Sequence, residues 1–214
     1  MGSSVAHNMA VAEETEAAND RPVDVPRRWA RGWPRAGAVT ARVRAFDDRV
    51  DAWVEQRRSR RLDPLFFGLS SAADHGLLWM LIGAGRAART GEPIPALRLA
   101  AAMGIESAAT NGPIKACFRR VRPPIETEEP LPYDLHRPRT SAFPSGHATS
   151  AFTAATLLSR GTRAGPAYFT LAALVASSRV YVRMHHASDV IAGAALGIVF
   201  GQVLRRVLPM RPKR

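Results

Sequence analysis

Three short clusters of polar residues contain the side chains of this chain that are most able to do chemistry. They are Lys115-x6-Arg122-Pro123, Pro144-Ser145-Gly146-His147 and Ser178-Arg179-x5-His185-x3-Asp189. Together they supply three cations, two histidines, a carboxylate and a small hydroxyl. Phosphoryl transfer spreads negative charge over the equatorial oxygens, and fixed cations and N–H donors can stabilise that charge. The clusters therefore predict a site that removes a phosphoryl group from an alcohol without a metal.

Five of these residues are expected to bind the phosphate. Lys115, Arg122 and Arg179 supply positive charge. A planar guanidinium also donates two parallel hydrogen bonds to a phosphate group. Ser145 adds a hydroxyl, and the turn that continues into Gly146 can present backbone N–H groups to an anion if a helix begins there.

Two histidines and one carboxylate are expected to carry out the reaction. His185 and Asp189 lie four residues apart, so both would face the same way on a helix. A carboxylate on one ring nitrogen fixes the tautomer and makes the other nitrogen a better nucleophile. His147 follows the turn and is the natural general acid for the leaving alkoxide, a role worth ~10²–10⁴ in rate.

A helix and five apolar segments are predicted to position these residues. Apolar side chains recur at helical spacing among charges from about Val43 to Arg61, which predicts an amphipathic helix. Such a helix could lie in a membrane interface or pack on the domain as a surface helix. The apolar segments cover about 66–88, 97–118, 146–158, 164–181 and 187–204. Their lengths fit spanning helices and buried core helices alike.

The chain is predicted to have four parts. Residues 1–40 lack apolar periodicity and are expected to form a disordered tail. An amphipathic helix over 41–62, a catalytic bundle over 63–207 and a basic tail over 208–214 follow. In the last apolar segment Gly193, Gly197 and Gly201 recur every four residues, which predicts close packing against a neighbouring helix.

Composition narrows the class of partner. The formal net charge of +12 is carried almost entirely by arginine, which favours a phosphate-bearing partner. The basic residues are scattered among apolar runs rather than gathered on a polar face, so we expect no nucleic-acid binding. Cys117 is the single cysteine, so no intrachain disulfide is possible. Residues 1–25 contain no apolar core of a secretory signal peptide.

Other charged residues allow two interpretations. Arg137 and Arg139 lie in a long connection, about 124–143, and either recognise a substrate headgroup or form a solvated loop face. Asp74, His75 and Glu106 interrupt apolar segments, where ionisable groups are costly. Each is either part of a structural polar pair or a support for the site.

Three residues near the predicted site are not assigned to phosphate binding. Arg119 and Arg120 are interpreted as solvated or headgroup-facing charges at a helix end. Ser178 is interpreted as a packing or supporting residue rather than a phosphate ligand.

The three clusters resemble the signature of the type 2 phosphatidic acid phosphatase (PAP2) superfamily. All eleven specified residues of that signature are present in order between positions 115 and 189. At residue frequencies of roughly one in twenty, chance agreement is negligible. The resemblance covers about residues 64–207, and the first sixty residues owe nothing to it.

The resemblance implies a mechanism and a fold. His185 would attack phosphorus and form a phosphohistidine, oriented by Asp189, while His147 would protonate the leaving group and then activate water. The phosphate would be held by Lys115, Arg122, Ser145, Gly146 and Arg179. The implied fold is an all-α, integral-membrane bundle with the site at the outer membrane face and no cofactor or metal. Because we count five spanning segments where many members have six, the amphipathic helix would take the place of the missing span.

The expected function is hydrolysis of a lipid phosphate at the plasma membrane. Phosphatidic acid, phosphatidylglycerol phosphate and polyprenyl (di)phosphates all fit as substrates, and oligomeric state is left open. The arginines between the spans lie on the inner side if the site faces out, in agreement with the positive-inside rule. The alternatives are a vanadium-dependent haloperoxidase, a secreted acid phosphatase and a non-catalytic basic membrane or nucleic-acid-binding protein.

Overall fold

The computed structural model describes residues 34–124 and 140–208, in which every regular element is helical, as expected for the all-α class. Seven α-helices occur there: α1 Pro34–Gln56, α2 Asp63–Ala72, α3 Leu77–Thr90, α4 Ile94–Ala109, α5 Gly146–Leu158, α6 Gly165–Tyr181 and α7 Ala187–Val207. A 3-10 turn, Asp74–Gly76, separates α2 from α3, and a π-helical turn, Thr110–Ile114, follows α4.

The chain divides into two compact units, Met1–Thr40 and Ala41–Arg214. In the first unit the structure describes only residues 34–40, which form the start of α1. The helix therefore begins within the segment expected to be a disordered tail. It ends at Gln56, earlier than expected, where the N–H of Arg57 bonds the carbonyl of Val54 at 3.0 Å in a tighter turn.

The first apolar segment is bent in the middle. His75 has φ 54° and Gly76 has φ 74°, both in the left-handed region that an α-helix cannot contain. The single helix that apolar composition suggested over 66–88 is therefore two helices, α2 and α3, inclined by 58°.

Helix α5 is the centre of the second unit. Nine of its thirteen residues are buried, and all nine are Ala, Thr or Leu. It packs against α4, α6 and α7. Ser145 is its N-cap and accepts the N–H of Ala148 at 3.4 Å, the arrangement typical of a serine at a helix start. This cap places the second polar cluster at one end of the bundle.

Helices α5 and α7 pack with their backbones in contact along what we call the α5–α7 seam, formed by Gly193, Gly197 and Gly201 against α5 and its cap. A Cβ atom at Gly193 would lie 2.5 Å from the Ser145 carbonyl oxygen, and one at Gly201 would lie 2.5 Å from the Cβ of Thr156. A side chain at Gly197 would collide with the Thr149 carbonyl. The close packing predicted from the four-residue glycine repeat is confirmed.

The outer surface of the second unit is rich in apolar side chains. Large apolar residues more than a third exposed occur on every helix except α5: Val43, Phe46, Trp53, Leu65, Leu77, Leu81, Ile94, Leu97, Ile105, Leu174, Ile191, Val199, Val203 and Val207. Among the described residues α7 alone is long and apolar enough to cross a membrane unaided, and the bent pair of α2 and α3 passes the same test jointly. The expected count of five spanning helices thus stays a prediction.

Candidate active site

The fold brings the three polar clusters together at one end of the bundle. The backbone N–H of Ser145 donates to the carbonyl of Asp189 at 3.0 Å, which joins the second cluster to the third. Arg122 Nη1 donates to the carbonyl of Met184 at 2.7 Å, which joins the first cluster to the third. Lys115 Nζ lies 3.6 Å from the position a Cβ of Gly146 would occupy, so the first and second clusters also meet.

The ring of His185 is held so that one nitrogen is available for chemistry. Its Nδ1 lies 2.7 Å from the carbonyl oxygen of Ala142, and only a protonated nitrogen can donate to that acceptor. The lone pair of the neutral ring is therefore on Nε2, which lies 3.3 Å from Nη1 of Arg122. The residue is 2 % exposed, and burial lowers the pKa of His185 to about 3. The ring is neutral at physiological pH, as a nucleophile must be.

Asp189 contacts His185 less directly than the four-residue spacing suggested. His185 precedes α7 rather than belonging to it, so the helical-face argument does not apply. The Oδ2 of Asp189 lies 3.8 Å from Nδ1 of His185, beyond hydrogen-bond distance. It accepts the backbone N–H of His186 at 2.9 Å, and Oδ1 accepts Nη1 of Arg120 at 2.6 Å. In this geometry the Ala142 carbonyl fixes the tautomer, and Asp189 anchors the start of α7.

Two of the predicted phosphate-binding cations, Lys115 and Arg179, are buried. Lys115 is 8 % exposed, and its ammonium makes no hydrogen bond or ion pair with the described residues. Burial and, to a smaller extent, the charges of Arg122 and Arg179 lower the pKa of Lys115 to about 8. Arg179, 4 % exposed, donates through Nη1 to the hydroxyl of Ser70. Its buried Nε has no hydrogen-bond acceptor in the described part of the chain. Such a cluster favours an anion.

His147 is paired with a carboxylate from the bend between α2 and α3. Its Nε2 lies 2.7 Å from Oδ1 of Asp74, so the Nε2–H donates to that oxygen. Proton transfer to a bound substrate then uses Nδ1. Of the two interpretations left open for Asp74, the geometry favours support for the site.

For Glu106 the geometry favours the structural role among the two considered. It is fully buried in α4, where its two carboxylate oxygens accept the hydroxyls of Thr110 at 2.8 Å and Ser150 at 2.5 Å. These bonds tie α4 to α5 inside the bundle and compensate for the burial of the charge. Glu106 is therefore a structural polar residue.

Ser145 and Gly146 lie at the start of α5, beside the predicted phosphate-binding residue Lys115. Ser145 is fully buried, its hydroxyl caps α5, and its N–H is already bonded to Asp189. A Cβ at Gly146 would lie 3.2 Å from Oδ1 of Asn111, so glycine allows the close approach of this amide as well as Lys115. Asn111 was missed because no spacing rule connected it to the clusters.

Arg120 is a second residue that the sequence interpretation missed. Rather than being solvated, its guanidinium bridges two buried carboxylates, Asp189 at 2.6 Å and Asp47 of α1 at 2.5 Å. Asp47 is 1 % exposed. The sequence signal available for Asp47 is its place in a repeat of acidic residues every four positions on α1, a repeat that apolar periodicity concealed.

The remaining expectations concern residues at the margin of the site. Ser178 is fully buried and donates to the carbonyl of Val175 in its own helix at 2.7 Å, which agrees with a packing role. Arg119 is exposed. Arg137 and Arg139, expected at a headgroup site, lie outside the described residues.

Comparison with known proteins gives a family match over residues 95–213, to the PAP2 superfamily. A decaprenylphosphoryl-5-phosphoribose phosphatase of Mycobacterium tuberculosis is 31% identical over 140 residues, which are 65% of this chain and 77% of that protein. A lipid A 1-phosphatase of Porphyromonas gingivalis is 41% identical over 68 residues, 29% of this chain and 15% of that protein.

Two solved structures share the fold. The crystal structure of Aquifex aeolicus LpxE superposes with a TM-score of 0.59 at 28% identity, covering 74% of this chain and 93% of that one. A transmembrane PAP2-type phosphatidylglycerolphosphate phosphatase from Bacillus subtilis superposes with a TM-score of 0.61 at 23% identity, covering 77% of this chain and 85% of that one.

Proposed function

The chain belongs to the PAP2 superfamily, and from this premise we propose that it is a metal-independent lipid phosphate phosphatase that works through a phosphohistidine on His185. The observation that carries the proposal is the orientation of that ring. Its Nδ1 is bonded to the Ala142 carbonyl, and its Nε2 lies beside the partly exposed Arg122, with the buried Arg179 also acting on the ring. This is the environment in which a neutral imidazole can attack a phosphate group.

The first half of the reaction breaks the ester bond. Nε2 of His185 attacks phosphorus in line with the leaving oxygen, an N–P bond forms, and the P–O bond to the lipid alcohol breaks. His147 gives its Nδ1 proton to the leaving alkoxide, so the lipid departs as a neutral alcohol. Asp74 stabilises the protonated ring that this step requires, because its carboxylate faces the opposite nitrogen.

The second half regenerates the enzyme. Water attacks the phosphorus of the phosphohistidine and gives a proton to His147, now neutral, while the N–P bond breaks. Inorganic phosphate leaves and His185 returns to its neutral form. Lys115, Arg122 and Arg179 face the equatorial oxygens in both halves, where charge is spread most widely.

A lipid substrate is supported by the surface of the protein and by the relatives. Soluble monomers rarely expose large contiguous apolar patches, whereas here large apolar side chains are exposed on six of the seven described α-helices. The relatives named above act, by their names, on polyprenyl-linked, lipid A and phosphatidylglycerol phosphates. We place a polyprenyl-linked phosphomonoester first among the candidate substrates, because the match to the decaprenylphosphoryl-5-phosphoribose phosphatase covers 77% of that protein.

The proposed orientation puts the site on the extracytoplasmic side of the plasma membrane in a multi-pass protein. Arginines collect at the end of the bundle away from the site: Arg86, Arg89, Arg160, Arg163, Arg205 and Arg206. Cytoplasmic connections carry an excess of such residues. To test this orientation, a charged reporter is attached to each end of the bundle, and its labelling from outside intact cells is measured. Labelling at the end that carries His185 supports the proposed orientation, and labelling at the other end contradicts it.

The decisive experiment measures phosphate release from a panel of lipid phosphates in detergent with excess EDTA. The panel contains a polyprenyl phosphate, phosphatidylglycerol phosphate and phosphatidic acid, and compares the native protein with His185→Ala. Release that resists EDTA and vanishes in the variant supports the proposal and ranks the lipids. Release that persists in a folded His185→Ala protein, or that EDTA abolishes, contradicts it.

A further inference from the structure

Helix α1 presents three carboxylates to the segment that carries His185. Asp47, Asp51 and Glu55 recur every four residues, so they lie along one side of the helix. We call them the acidic stripe. Each contacts a residue of the segment 182–188, the catalytic loop, which connects α6 to the first turn of α7. The matched region of the family begins at residue 95, so α1 lies outside it.

Asp47 holds the end of the catalytic loop that follows His185. Its Oδ1 accepts the backbone N–H of Ser188 at 2.8 Å, and its Oδ2 accepts the Ser188 hydroxyl at 2.8 Å. The same Oδ2 accepts Nη2 of Arg120 at 2.5 Å, while Nη1 of Arg120 donates to Asp189. One buried carboxylate on α1 is thus linked, through a single guanidinium, to the carboxylate four residues after His185.

Asp51 and Glu55 hold the other part of the loop. The Oδ2 of Asp51 lies 3.4 Å from Nδ1 of His186 and 3.6 Å from Nη1 of Arg183. Glu55 accepts Nη2 of Arg183 at 2.8 Å. Arg183 has φ 57°, a left-handed conformation that non-glycine residues keep only when their surroundings enforce it. The contacts of Asp51 and Glu55 with Arg183 help to keep this conformation. The contact of Asp51 with His186 holds the residue that follows His185.

We propose that the acidic stripe is a positioning device for the reaction, and that Asp47 sets the placement of His185 through Ser188, Arg120 and Asp189. This inference rests on the proposed function, because it requires His185 to be the nucleophile. The ring itself is bonded through the Ala142 carbonyl, so the position of the loop backbone decides where Nε2 points. Attack on phosphorus depends on that placement to within about 0.5 Å.

The test compares Asp47→Asn with Asp48→Asn in the full-length protein in detergent. Asp48 is the neighbouring carboxylate on α1 but is exposed, so its replacement controls for the loss of one negative charge. We expect Asp47→Asn to lower kcat by roughly 10–100-fold, the range seen when residues supporting a site are removed. KM should stay within about threefold, because the phosphate-binding cations are untouched. Asp48→Asn should leave both constants unchanged.

A double-mutant cycle separates positioning from general stability. Arg120→Met should also lower kcat, and the pair Asp47→Asn/Arg120→Met should lower kcat by less than the product of the two single losses, because both changes break the bond between Asp47 and Arg120. Losses of kcat that multiply in the double variant would overturn the inference. A rise in KM with kcat unchanged in Asp47→Asn would also overturn it. If Asp47→Asn does not fold, Glu55→Gln at the more exposed end must lower kcat several-fold, and an unchanged kcat there also overturns it.

The His185→Ala variant keeps the two hypotheses apart. If His185→Ala is inactive and Asp47→Asn is fully active, the positioning role is wrong and the proposed function stands. If His185→Ala remains active, the proposed function itself is wrong, whatever the acidic stripe does.

Discussion

Nε2 of His147 and Oδ1 of Asp74 lie 2.7 Å apart, so a residue from the bend between α2 and α3 is bonded to the proposed general acid. The bend exists because two consecutive residues, His75 and Gly76, adopt left-handed conformations. A straight helix across this region would carry the Asp74 carboxylate in another direction. The interruption of the apolar segment is therefore what delivers the partner of the general acid.

Replacement of Asp74 by Asn should affect poor leaving groups most. The variant loses the charge that stabilises protonated His147, so kcat for a lipid phosphomonoester should fall by roughly tenfold or more. An activated aryl phosphate needs less proton donation and should lose much less. Steady-state kinetics on both substrates measures the difference. Glu92→Gln, at the opposite end of the bundle, serves as the matched control, and equal losses on both substrates would contradict the assignment.

The pH dependence of kcat/KM should reflect the ionisation of the Lys115 ammonium. Its pKa of about 8 in the free enzyme means that the ammonium is charged below pH 8 and loses its charge as pH rises through that value. We expect kcat/KM to fall above about pH 8 for this reason. A bound phosphate dianion favours the charged form, so the fall in kcat should occur at higher pH.

Lys115→Arg provides the control for this assignment. A guanidinium keeps its charge throughout the accessible range, so the alkaline fall in kcat/KM should move to higher pH even if the overall rate drops. An alkaline limb in the same place in this variant would assign the ionisation to another group.

Arg179→Lys should be severe although it conserves charge. The guanidinium donates to the Ser70 hydroxyl and keeps further N–H groups that would bind the phosphate in the proposed site, and a single ammonium cannot do both. A loss of roughly 10²–10³ in kcat is expected, the cost of one missing donor at a developing anion. Ser70→Ala should be much milder. Kinetics of the two variants at saturating substrate check the order, and a mild Arg179→Lys would remove this arginine from the phosphate site.

The α5–α7 seam should tolerate no side chain. Gly197→Ala places a Cβ against the Thr149 carbonyl and should lower the free energy of unfolding by about 1–3 kcal/mol. Gly85→Ala on α3, where nothing lies within 4 Å of the new atom, should instead be neutral or stabilising by up to about 1 kcal/mol. Thermal denaturation midpoints in one detergent compare the two. Equal midpoints in the two variants would contradict the prediction, because α5 and α7 would then be able to move apart without loss of stability.

Sequence reasoning named residues that the fold brings together, but only part of what supports them. Motif spacing identified Lys115, Arg122, Arg179 and His185, and these lie together because each cluster occupies a helix end at the same side of the bundle. Asp74 was flagged because a charge inside an apolar segment is costly, although its partner could not be named.

The contribution of α1 could not be predicted for a physical reason. Its apolar residues at helical spacing suggested a helix that docks with its apolar side and leaves its charges in solvent. In the structure Asp47 is buried while Val43, Phe46 and Trp53 are at least a third exposed. The charges of α1 find partners more than sixty residues away, such as Arg120 and Ser188. Local periodicity carries no information about such partners.

The contact between Gly193 and the Ser145 carbonyl has a consequence for redesign. It holds the second and third polar clusters in a fixed relative position, so the geometry of the proposed phosphate site cannot change without separating α5 from α7. Helices α1 and α2 reach this site through individual buried side chains, such as Asp47 and Ser70. A library aimed at new lipid preferences should therefore vary the exposed apolar residues of α1 to α3 and leave both the seam and these buried residues intact.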